Sequence, residues 1–217
     1  MKEEYYNVIG LMSGTSLDGV DLAHIQFKIS NHKWTFKILE SETIGYHPNW
    51  ITKLKQAVDF SEEELENLNE EYTQLLATII SDFIKKHTIE NLDAVCSHGH
   101  TILHQPQNGF TLQIGNLPKL ASLIQQTVVC DFRVQDVALG GQGAPLVPPF
   151  HAAVFAQTTQ SVAVLNMGGI SNFTFLSGDL NPEKVFATDT GPGNTIMDAF
   201  VQKHFGIPFD QDAEIAS

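Results

Sequence analysis

The N-terminal segment alternates apolar and polar side chains with the two-residue period of β-strands. Residues 5–12 form a short apolar run, and residues 20–29 and 34–39 continue the alternation beyond a glycine-containing turn. The turn at residues 13–19 therefore joins one strand directly to the next. This pattern predicts a three-stranded meander at the start of the chain.

A helical period begins at Ser61, where Ser61 and Glu64 have the spacing of a capping box. Such a box marks the first turn of a helix. Apolar side chains then recur at three- and four-residue intervals, at Leu65, Leu68, Tyr72, Leu75, Leu76, Ile79, Ile80, Phe83 and Ile84. This stripe lies along one side of an α-helix, so it predicts a long helix that buries that side in the core.

Shorter strands follow and alternate with helical segments. Residues 92–96, 109–114 and 127–130 have strand character, and residues 116–126 have helical character. Strands that alternate with helices indicate an α/β fold, in which ligands bind at the ends of strands.

Glycine and proline residues mark a boundary further along the chain. Three glycines and three prolines fall within residues 136–149, which excludes a long regular element there. We interpret this segment as the passage between two lobes. The predicted domains are residues 1–150, a first lobe with the candidate ligand-binding loops, and residues 151–217, the start of a second lobe.

The second lobe repeats the order of elements found at the start of the chain. Residues 161–166 predict a strand, residues 167–172 a glycine-rich turn, and residues 173–176 and 185–188 two more strands. Residues 194–205 then predict a helix. Its apolar side carries Ile196, Met197, Phe200, Val201 and Phe205. Because the order strand, turn, strand, strand, helix occurs twice, we interpret the chain as an architectural repeat whose second copy is incomplete.

The charge and composition exclude several classes of partner. The net charge is -13, so a nucleic-acid backbone or an anionic membrane surface would be repelled. No apolar run approaches the roughly 20 residues of a membrane span, and the N-terminus has no signal-peptide pattern. We therefore expect a cytoplasmic protein whose two cysteines, Cys96 and Cys130, are free thiols. Backbone N–H groups and a metal ion would bind an anionic ligand, because the composition favours no basic patch.

The sequence GLMSGTSLDGVD at residues 10–21 contains the first candidate site. Gly14 and Gly19 have the spacing of a P-loop, but Val20 and Asp21 occupy the positions of its lysine and its hydroxyl residue. The turn also leads into a strand, whereas a P-loop leads into a helix. Backbone N–H groups of such a turn bind anions without a lysine, which predicts a phosphate site.

Side chains of this turn add to the candidate site. Hydroxyl donors are present at Ser13, Thr15 and Ser16. Asp18 or Asp21 provides a carboxylate for Mg²⁺, directly or through water. The alternative, which the turn alone supports equally well, is an ordinary hairpin whose turn residues satisfy one another's hydrogen bonds.

The sequence DTGPGN at residues 189–194 contains the second candidate site. Asp189 follows a predicted strand and precedes a tight turn and the N-terminus of a helix. Reactive groups in α/β proteins lie at strand ends, so this carboxylate is a candidate base for a nucleophile that attacks a sugar or a phosphorylated centre. The alternative, which is stronger for the motif alone, is an aspartate that only fixes the Gly-Pro-Gly turn through backbone hydrogen bonds.

Two further groups contain residue types that bind ligands. Arg133 follows a predicted strand, where its guanidinium could bind a carboxylate or phosphate through two hydrogen bonds. A structural pair with a nearby aspartate or a helix end explains it equally well. His98, His100 and His104 do not have the spacing of a strong zinc site, and we interpret them as a polar wall of a ligand pocket.

Six sequence blocks in a fixed order carry a family resemblance. The blocks are GLMSGTSLDGVD (10–21), SHGHT (97–101), LQIGN (112–116), DFRVQDVALGGQGAPLVP (131–148), LNMGGISN (165–172) and DTGPGN (189–194). Together they resemble the anhydro-N-acetylmuramic acid kinases from about residue 8 to the end of the chain. The resemblance implies an α/β fold with the two-lobed architecture of actin-like ATPases, which is ribonuclease H-like, with the first lobe complete and the second only begun.

The resemblance also implies an ATP-dependent kinase of peptidoglycan recycling. In this reaction the 1,6-anhydro bond of 1,6-anhydro-N-acetylmuramic acid is hydrolysed while the freed 6-hydroxyl accepts the γ-phosphoryl group of ATP. The product is N-acetylmuramic acid 6-phosphate. ATP, Mg²⁺ and the amino sugar are then the expected small-molecule partners.

Roles of individual residues carry over from the matching motifs. Asp189 matches the catalytic acid of the family and would be the general base for the attacking water. The implied ATP-binding residues are Gly14, Thr15, Ser16, Leu17, Asp18, Gly19, Val20, Asp21, Gly168 and Gly169, with Asp18 as the candidate Mg²⁺ ligand. The implied substrate-binding residues are Ser13, His98, Arg133 and Asn194. His100 has no implied role, because some relatives carry glutamine there.

Members of this family are much longer, and their second lobe supplies further phosphate contacts and the adenosine pocket. Two alternatives therefore remain, a non-catalytic fragment that retains sugar binding and a different sugar phosphotransferase of the same superfamily. An incomplete second lobe also leaves apolar surfaces uncovered. This predicts low stability or association, for example into a homodimer.

Overall fold

The structure is a computed structural model that describes residues 3–14, 16–31 and 33–217. It divides into two compact units, residues 1–146 and 147–217. The division follows Leu146 rather than residue 150, because Pro148–Phe155 is a helix of the second unit. Helices and strands are mixed in both units, which confirms the α/β class.

The first unit contains seven strands and four α-helices among its described residues. The strands are β1 (Glu4–Met12), β2 (Gly19–Ser30), β3 (Lys33–Gly45), β4 (Ala94–Ser97), β5 (His100–Gln105), β6 (Phe110–Ile114) and β7 (Val128–Cys130). The helices are α1 (Pro48–Gln56), α2 (Glu62–Lys86), α3 (Lys119–Ile124) and α4 (Phe132–Ala138). Five strands form a mixed sheet in the order β3-β2-β1-β4-β7, and β5 and β6 form a separate hairpin.

The predicted meander and the predicted long helix are confirmed. β1 pairs antiparallel with β2, and β2 pairs antiparallel with β3. α2 begins after the predicted capping box, in which the Ser61 side chain accepts from the N–H of Glu64 and the Glu64 side chain accepts from the N–H of Ser61. The apolar stripe of α2 packs on the side of the sheet that carries Ile9 and Leu22. Each fully buried Leu or Ile in this layer contributes about 1.5–3 kcal/mol of stability.

Two elements of the first unit follow a turn that the sequence did not indicate. Asp131 adopts a left-handed conformation, with φ of 61°, directly after β7. The chain thereby enters α4, so Arg133 lies in the first turn of a helix rather than at a strand end. β5 likewise begins directly after a left-handed residue, Gly99, with φ of 68°.

The second unit begins with a helix and continues as an antiparallel meander. Its elements are α5 (Pro148–Phe155), β8 (Val162–Met167), β9 (Ile170–Leu176), β10 (Phe186–Pro192) and α6 (Asn194–Phe205). The strand order is β10-β9-β8. The predicted order of strand, turn, strand, strand and helix is confirmed, and α6 has the predicted bounds. β10 is longer than predicted, so Asp189 lies inside the strand rather than at its end.

The apolar side of α6 is mostly exposed to solvent. Val201 is buried, but the other large side chains of that side are more than half exposed, namely Ile196 (61%), Met197 (53%), Phe200 (57%) and Phe205 (53%). The reason is that α6 packs on β9 only through the side that carries Val201. None of the helices in the described part of the chain combines the length and the hydropathy that a membrane span requires.

Candidate functional site

The turn after β1 is closed by hydrogen bonds among its own residues. The N–H of Leu17 donates to the carbonyl of Gly14 (3.2 Å), and Leu17 has a left-handed conformation, with φ of 56°. Oδ1 of Asp18 accepts from the hydroxyl of Ser16 (2.7 Å) and from the N–H of Gly19 (3.0 Å). These contacts have the character of a capped hairpin turn. They order the backbone that the sequence predicts to bind phosphate.

Several predicted nucleotide-binding positions also serve the pairing of β2 with β3. A Cβ atom at Gly19 would lie 2.3 Å from the carbonyl oxygen of Ile44, so only glycine permits this close approach. Val20 is fully buried in the core. The Asp21 carboxylate accepts from the hydroxyl of Thr43 (2.5 Å). Any contact of Gly19 or Val20 with a nucleotide would therefore involve backbone atoms.

Ser13 belongs to a buried chain of polar groups. Its hydroxyl shares a hydrogen bond with Nδ1 of His100 (2.8 Å) and another with the hydroxyl of Tyr46 (2.5 Å). The hydroxyls of Tyr46 and Tyr72 share the next one (2.5 Å). Ser13 and His100 are only 2% and 3% exposed. These hydrogen bonds connect the start of the glycine-rich turn to α2 and β5. Substrate contact by Ser13 stays a prediction.

Burial shifts the pKa values of the titratable side chains in this row of hydrogen-bonded groups. It lowers the pKa of His100 to about 4, with a smaller contribution from the nearby His98. It also raises the pKa values of Tyr46 and Tyr72 above the ordinary value of tyrosine. All three groups are therefore neutral at pH 7, as a hydrogen-bonded chain without a counter-ion requires.

We expect His100 to make the stability of the protein depend on pH. The folded-state pKa of about 4 lies below the ordinary value of 6.5. Its contribution is therefore complete above pH 6.5 and is lost as the pH falls towards 4, with a limiting slope of about 1.4 kcal/mol per pH unit. Urea unfolding at pH 7 and pH 5 measures this loss. His100→Gln, which removes the titrating group, should flatten the dependence, and an equal loss in both proteins would contradict the assignment.

His98 and Arg133 form a second polar contact. Nδ1 of His98 donates to the carbonyl of Gly99 (3.1 Å), which leaves Nε2 as an acceptor. Nη2 of Arg133 donates to that Nε2 (3.3 Å). Burial, and to a lesser degree the charge of Arg133, lowers the pKa of His98. The histidine is therefore neutral at pH 7 and orients the guanidinium.

Arg133 has no carboxylate partner among the described residues. The two aspartates that could pair with it are used elsewhere, because Asp131 accepts from the amide of Asn116 (3.2 Å) and Asp136 accepts from the N–H of Gly143 (2.6 Å). The Nε atom of Arg133 is buried and has no hydrogen-bond partner in the described part of the chain. A half-buried cation with a buried, unpaired donor is costly unless an anionic or polar ligand pairs with that donor.

The β5–β6 hairpin supplies a polar group that the sequence reasoning missed. Nδ1 of His104 and the hydroxyl of Thr111 share a hydrogen bond (3.1 Å), and Nε2 of Gln113 donates to the same hydroxyl (2.9 Å). Oε1 of Gln113 is buried without a partner among the described residues. Gln113 lies within the LQIGN block, but its buried position depends on the hairpin register and is not visible from the motif.

A groove of about 580 Å³ lies on the sheet face opposite α2. It brings together Asp21 and His98, two predicted site residues that are distant in the sequence. Its remaining lining residues are Gly10, Leu11, Met12, Leu22, Ala23, Ser41, Glu42, Thr43, Cys96 and Phe132. Cys96 is a free thiol, as is Cys130, and burial raises the pKa of both. The groove is large enough for a small ligand, and part of its lining is polar.

In the second unit, the glycine-rich turn holds the start of α6. The N–H groups of Gly193 and Asn194 donate to the carbonyls of Gly169 and Gly168 (2.8 Å each). A Cβ atom at Gly193 would lie 2.4 Å from the carbonyl oxygen of Gly168, so this contact depends on glycine. The hydroxyl of Thr195 also donates to the Gly169 carbonyl (2.8 Å). The first N–H groups of α6 are therefore hydrogen-bonded to the glycine-rich turn. A role of Asn194 in substrate binding stays a prediction.

Asp189 lies in β10 next to a break in the ladder. The register with β9 shifts between Asp189, opposite Asn172, and Gly191, opposite Ser171. The hydroxyl of Thr190 donates to the carbonyl of Ser171 (3.0 Å) at this shift. Asp189 is exposed, and no hydrogen bond to its carboxylate occurs among the described contacts. The alternative in which this carboxylate fixes the Gly-Pro-Gly turn therefore gains no support, whereas a bulge that aims a side chain is common beside active sites.

Metal binding by these residues depends on which of their carboxylate oxygens are free of hydrogen bonds. Among the described residues, no group of three or more His, Cys, Asp or Glu side chains is arranged to hold a metal ion. Mg²⁺ commonly keeps several waters and contacts one or two carboxylates together with nucleotide phosphates. Asp18 fits this limited role, because Oδ2 has no hydrogen bond in the described part of the chain. Thr15, a predicted nucleotide-binding residue, lies outside the described residues.

Two comparisons with known proteins, one with a family model and one with individual relatives, indicate the same family. A family model described as anhydro-N-acetylmuramic acid kinase matches residues 6–217. The chain is 41% identical to the anhydro-N-acetylmuramic acid kinase of Shewanella baltica (strain OS185), a match that covers 100% of this chain and 58% of the relative. It is 40% identical to that of Pasteurella multocida (strain Pm70), with coverage of 100% and 57%. The chain thus spans a little under three fifths of the length of these relatives.

Similarity to solved structures is weaker. A Ppx/GppA family member of Aquifex aeolicus aligns with a TM-score of 0.41 and 13% sequence identity. The alignment covers 98% of this chain and 59% of that chain.

Proposed function

The chain belongs to the anhydro-N-acetylmuramic acid kinase family, and on that premise we propose that it takes part in the ATP-dependent phosphorylation of 1,6-anhydro-N-acetylmuramic acid. The product would be N-acetylmuramic acid 6-phosphate, an intermediate of peptidoglycan recycling. The single observation that carries the mechanism is the exposed, unpaired carboxylate of Asp189 beside a bulge.

Asp189 is the proposed general base. A water molecule forms a bond to C1 of the sugar, and its proton passes to the Asp189 carboxylate. The C1–O6 bond breaks, and its electron pair remains on O6. O6 then bonds to the γ-phosphorus of ATP, and the bond to the bridging oxygen breaks to release ADP. A positioned carboxylate of this kind contributes about 10²–10⁴-fold to the rate.

Arg133 and its neighbours are the proposed sugar-binding group. The muramic acid unit carries a lactyl carboxylate, and Arg133 is a half-buried cation whose neighbouring aspartates are paired elsewhere. Two hydrogen bonds from a guanidinium to a carboxylate match this chemistry. The unpaired Oε1 of Gln113 is an acceptor for a sugar hydroxyl or amide N–H. His98 would hold the guanidinium in place.

The glycine-rich turns are the proposed nucleotide contacts. Backbone N–H groups of residues 14–21 and of Gly168 and Gly169 would bind ATP phosphates as the family resemblance implies. Asp18 would contact Mg²⁺, which when bound neutralises charge on the transferring phosphoryl group. We place the reaction in the cytoplasm, where ATP is available, and we expect neither nucleic acid nor membrane as a partner. A homodimer stays a prediction.

Direct detection of the product tests this proposal. The chain is incubated with ATP, MgCl₂ and 1,6-anhydro-N-acetylmuramic acid, and N-acetylmuramic acid 6-phosphate is detected by mass spectrometry. We expect product from this sugar and none from N-acetylglucosamine. Transfer to both sugars would favour a different phosphotransferase. Sugar binding by calorimetry without product would favour a non-catalytic sugar-binding chain, in line with its coverage of 58% of a relative.

A further inference from the structure

Three polar side chains form a row across the sheet of the second unit. Asn166 of β8 lies directly opposite Asn172 of β9, and Asn172 lies directly opposite Asp189 of β10. Directly paired residues place their side chains on the same face, with Cβ atoms about 4.5–5.5 Å apart. The proposed base is therefore adjacent to an amide pair on one face of the sheet.

This row departs from ordinary strand chemistry. Asn and Asp are depleted in strands, yet each of three neighbouring strands places one of them here. The next row on the same face consists of Val164, Thr174 and Ala187, of which the first two suit a strand well. Thr174 is buried, and its hydroxyl shares a hydrogen bond with His151 of α5 (2.9 Å). Local departures of this kind are expected at functional sites, where a side chain is kept for chemistry rather than for folding.

The amide of Asn172 has a defined orientation. Nδ2 of Asn166 donates to Oδ1 of Asn172 (3.1 Å), so the acceptor of Asn172 is used on the side of β8. Nδ2 of Asn172 then remains as a donor, and it has no acceptor among the described contacts. The Asp189 carboxylate on the next strand has no donor among them. A free amide donor and a free carboxylate are complementary hydrogen-bond partners when they lie on directly paired residues of neighbouring strands.

We infer that Asn172 is a positioning residue for Asp189. Its Nδ2 donates to one carboxylate oxygen and so directs the other oxygen to the attacking water, while Asn166 fixes the amide of Asn172. The register shift that follows Asp189 provides the local freedom for the carboxylate to turn towards Asn172. The consequence for the rate rests on the proposed function, but the hydrogen bond does not.

Side-chain amide resonances test the hydrogen bond without any assay of activity. In ¹⁵N-labelled protein, the Asn172 Nδ2H₂ signals should move when Asp189→Asn removes the carboxylate. They should keep their positions in Asp179→Asn, which makes the same change of charge at an exposed turn of the same unit, where Asp179 pairs with Lys184. Unchanged Asn172 signals in Asp189→Asn would overturn the inference, whatever the function of the chain.

Kinetics separate a positioning role from a structural one. Asn172→Val removes the donor but suits a strand better, so we expect an equal or higher Tm together with a 10- to 100-fold loss of kcat. The KM values for ATP and for the sugar should change by less than about twofold, because ground-state binding is untouched. Asn172→Ser, which keeps a hydroxyl donor, should recover part of the rate.

The outcomes distinguish this inference from the proposed function. A wild-type kcat in Asn172→Val, with activity lost in Asp189→Asn, overturns the inference and leaves the base assignment intact. A lowered Tm with parallel changes in kcat and KM also overturns it, since that result describes a structural residue. Wild-type activity in Asp189→Asn refutes the assignment of Asp189 as the base. The shift of the Asn172 Nδ2H₂ signals then decides whether Asn172 and Asp189 are hydrogen-bonded.

Discussion

Asp189→Asn is expected to lower kcat for phosphorylation of the anhydro sugar by about 10²–10⁴-fold, the range for loss of a general base. The amide has nearly the shape of the carboxylate but does not accept the proton of the attacking water. The side chain is exposed and has no hydrogen bond among the described contacts, so the Tm should change little. Initial rates at saturating ATP and sugar measure the effect, and calorimetry should show that both still bind.

Asp179→Asn is the matched control for this variant. It makes the same chemical change at an exposed turn of the same unit, where Asp179 pairs with Lys184. Its kcat should equal that of the unmodified protein. A comparable loss in both variants would indicate a general effect of charge, and full activity in Asp189→Asn would mean that another group is the base.

Arg133→Ala is expected to raise the KM for the sugar by about 10- to 100-fold. The reason is the loss of charge-assisted hydrogen bonds, each contributing about 1.5–3 kcal/mol. Arg133→Lys keeps the charge but not the planar pair of donors. Its KM for the sugar should therefore lie between those of the unmodified protein and Arg133→Ala. The KM for ATP should stay within about twofold in both variants. Saturation curves in each substrate, with sugar affinity from calorimetry, provide the test.

A purely structural role for Arg133 predicts a different result. If the guanidinium served only packing, Arg133→Ala would lower the Tm without a selective change in the KM for the sugar. Among the described residues Arg133 has no ion pair to lose, and its Nε is unpaired. A selective increase in the sugar KM at an unchanged Tm therefore identifies a ligand contact.

The elements that the sequence predicted best have strong local signals. α2 combines a capping box with nine apolar residues in register, and α6 follows a glycine-rich turn and ends at Gly206, which has a left-handed conformation. The alternation of β1 to β3 is long enough to define a meander. In each case the local sequence and the tertiary structure favour the same conformation, which is why the prediction was possible.

Two of the helices that were missed, α5 and α4, lack the local signals of a helix. α5 begins with Pro148 and Pro149, at the end of a segment whose glycines and prolines were taken to exclude a long regular element. Proline is well tolerated in the first turn of a helix, where its missing N–H has no partner to lose. α4 is too short to show a helical period, and it starts only because Asp131 turns the chain out of β7.

The sequence could propose residues for the candidate site but could not predict the contacts among them. Motifs indicated Asp189, Arg133 and the glycine-rich turns, because these have recognisable types and spacings. The bond between Ser13 and His100 joins residues that only the fold brings together, and so does the row that pairs Asn172 with Asp189. Contacts between distant segments depend on strand register, which no local pattern specifies.

Isotope incorporation from water tests the central claim most directly. The reaction is run in H₂¹⁸O with ATP, MgCl₂ and 1,6-anhydro-N-acetylmuramic acid, and the product is fragmented in a mass spectrometer within minutes. Unlabelled product incubated in the same water corrects for exchange at C1. If water attacks C1 while O6 takes the phosphoryl group, ¹⁸O will be found on C1 and not in the phosphate. Label in the phosphate, or a C1 oxygen no heavier than the exchange control, would contradict the account.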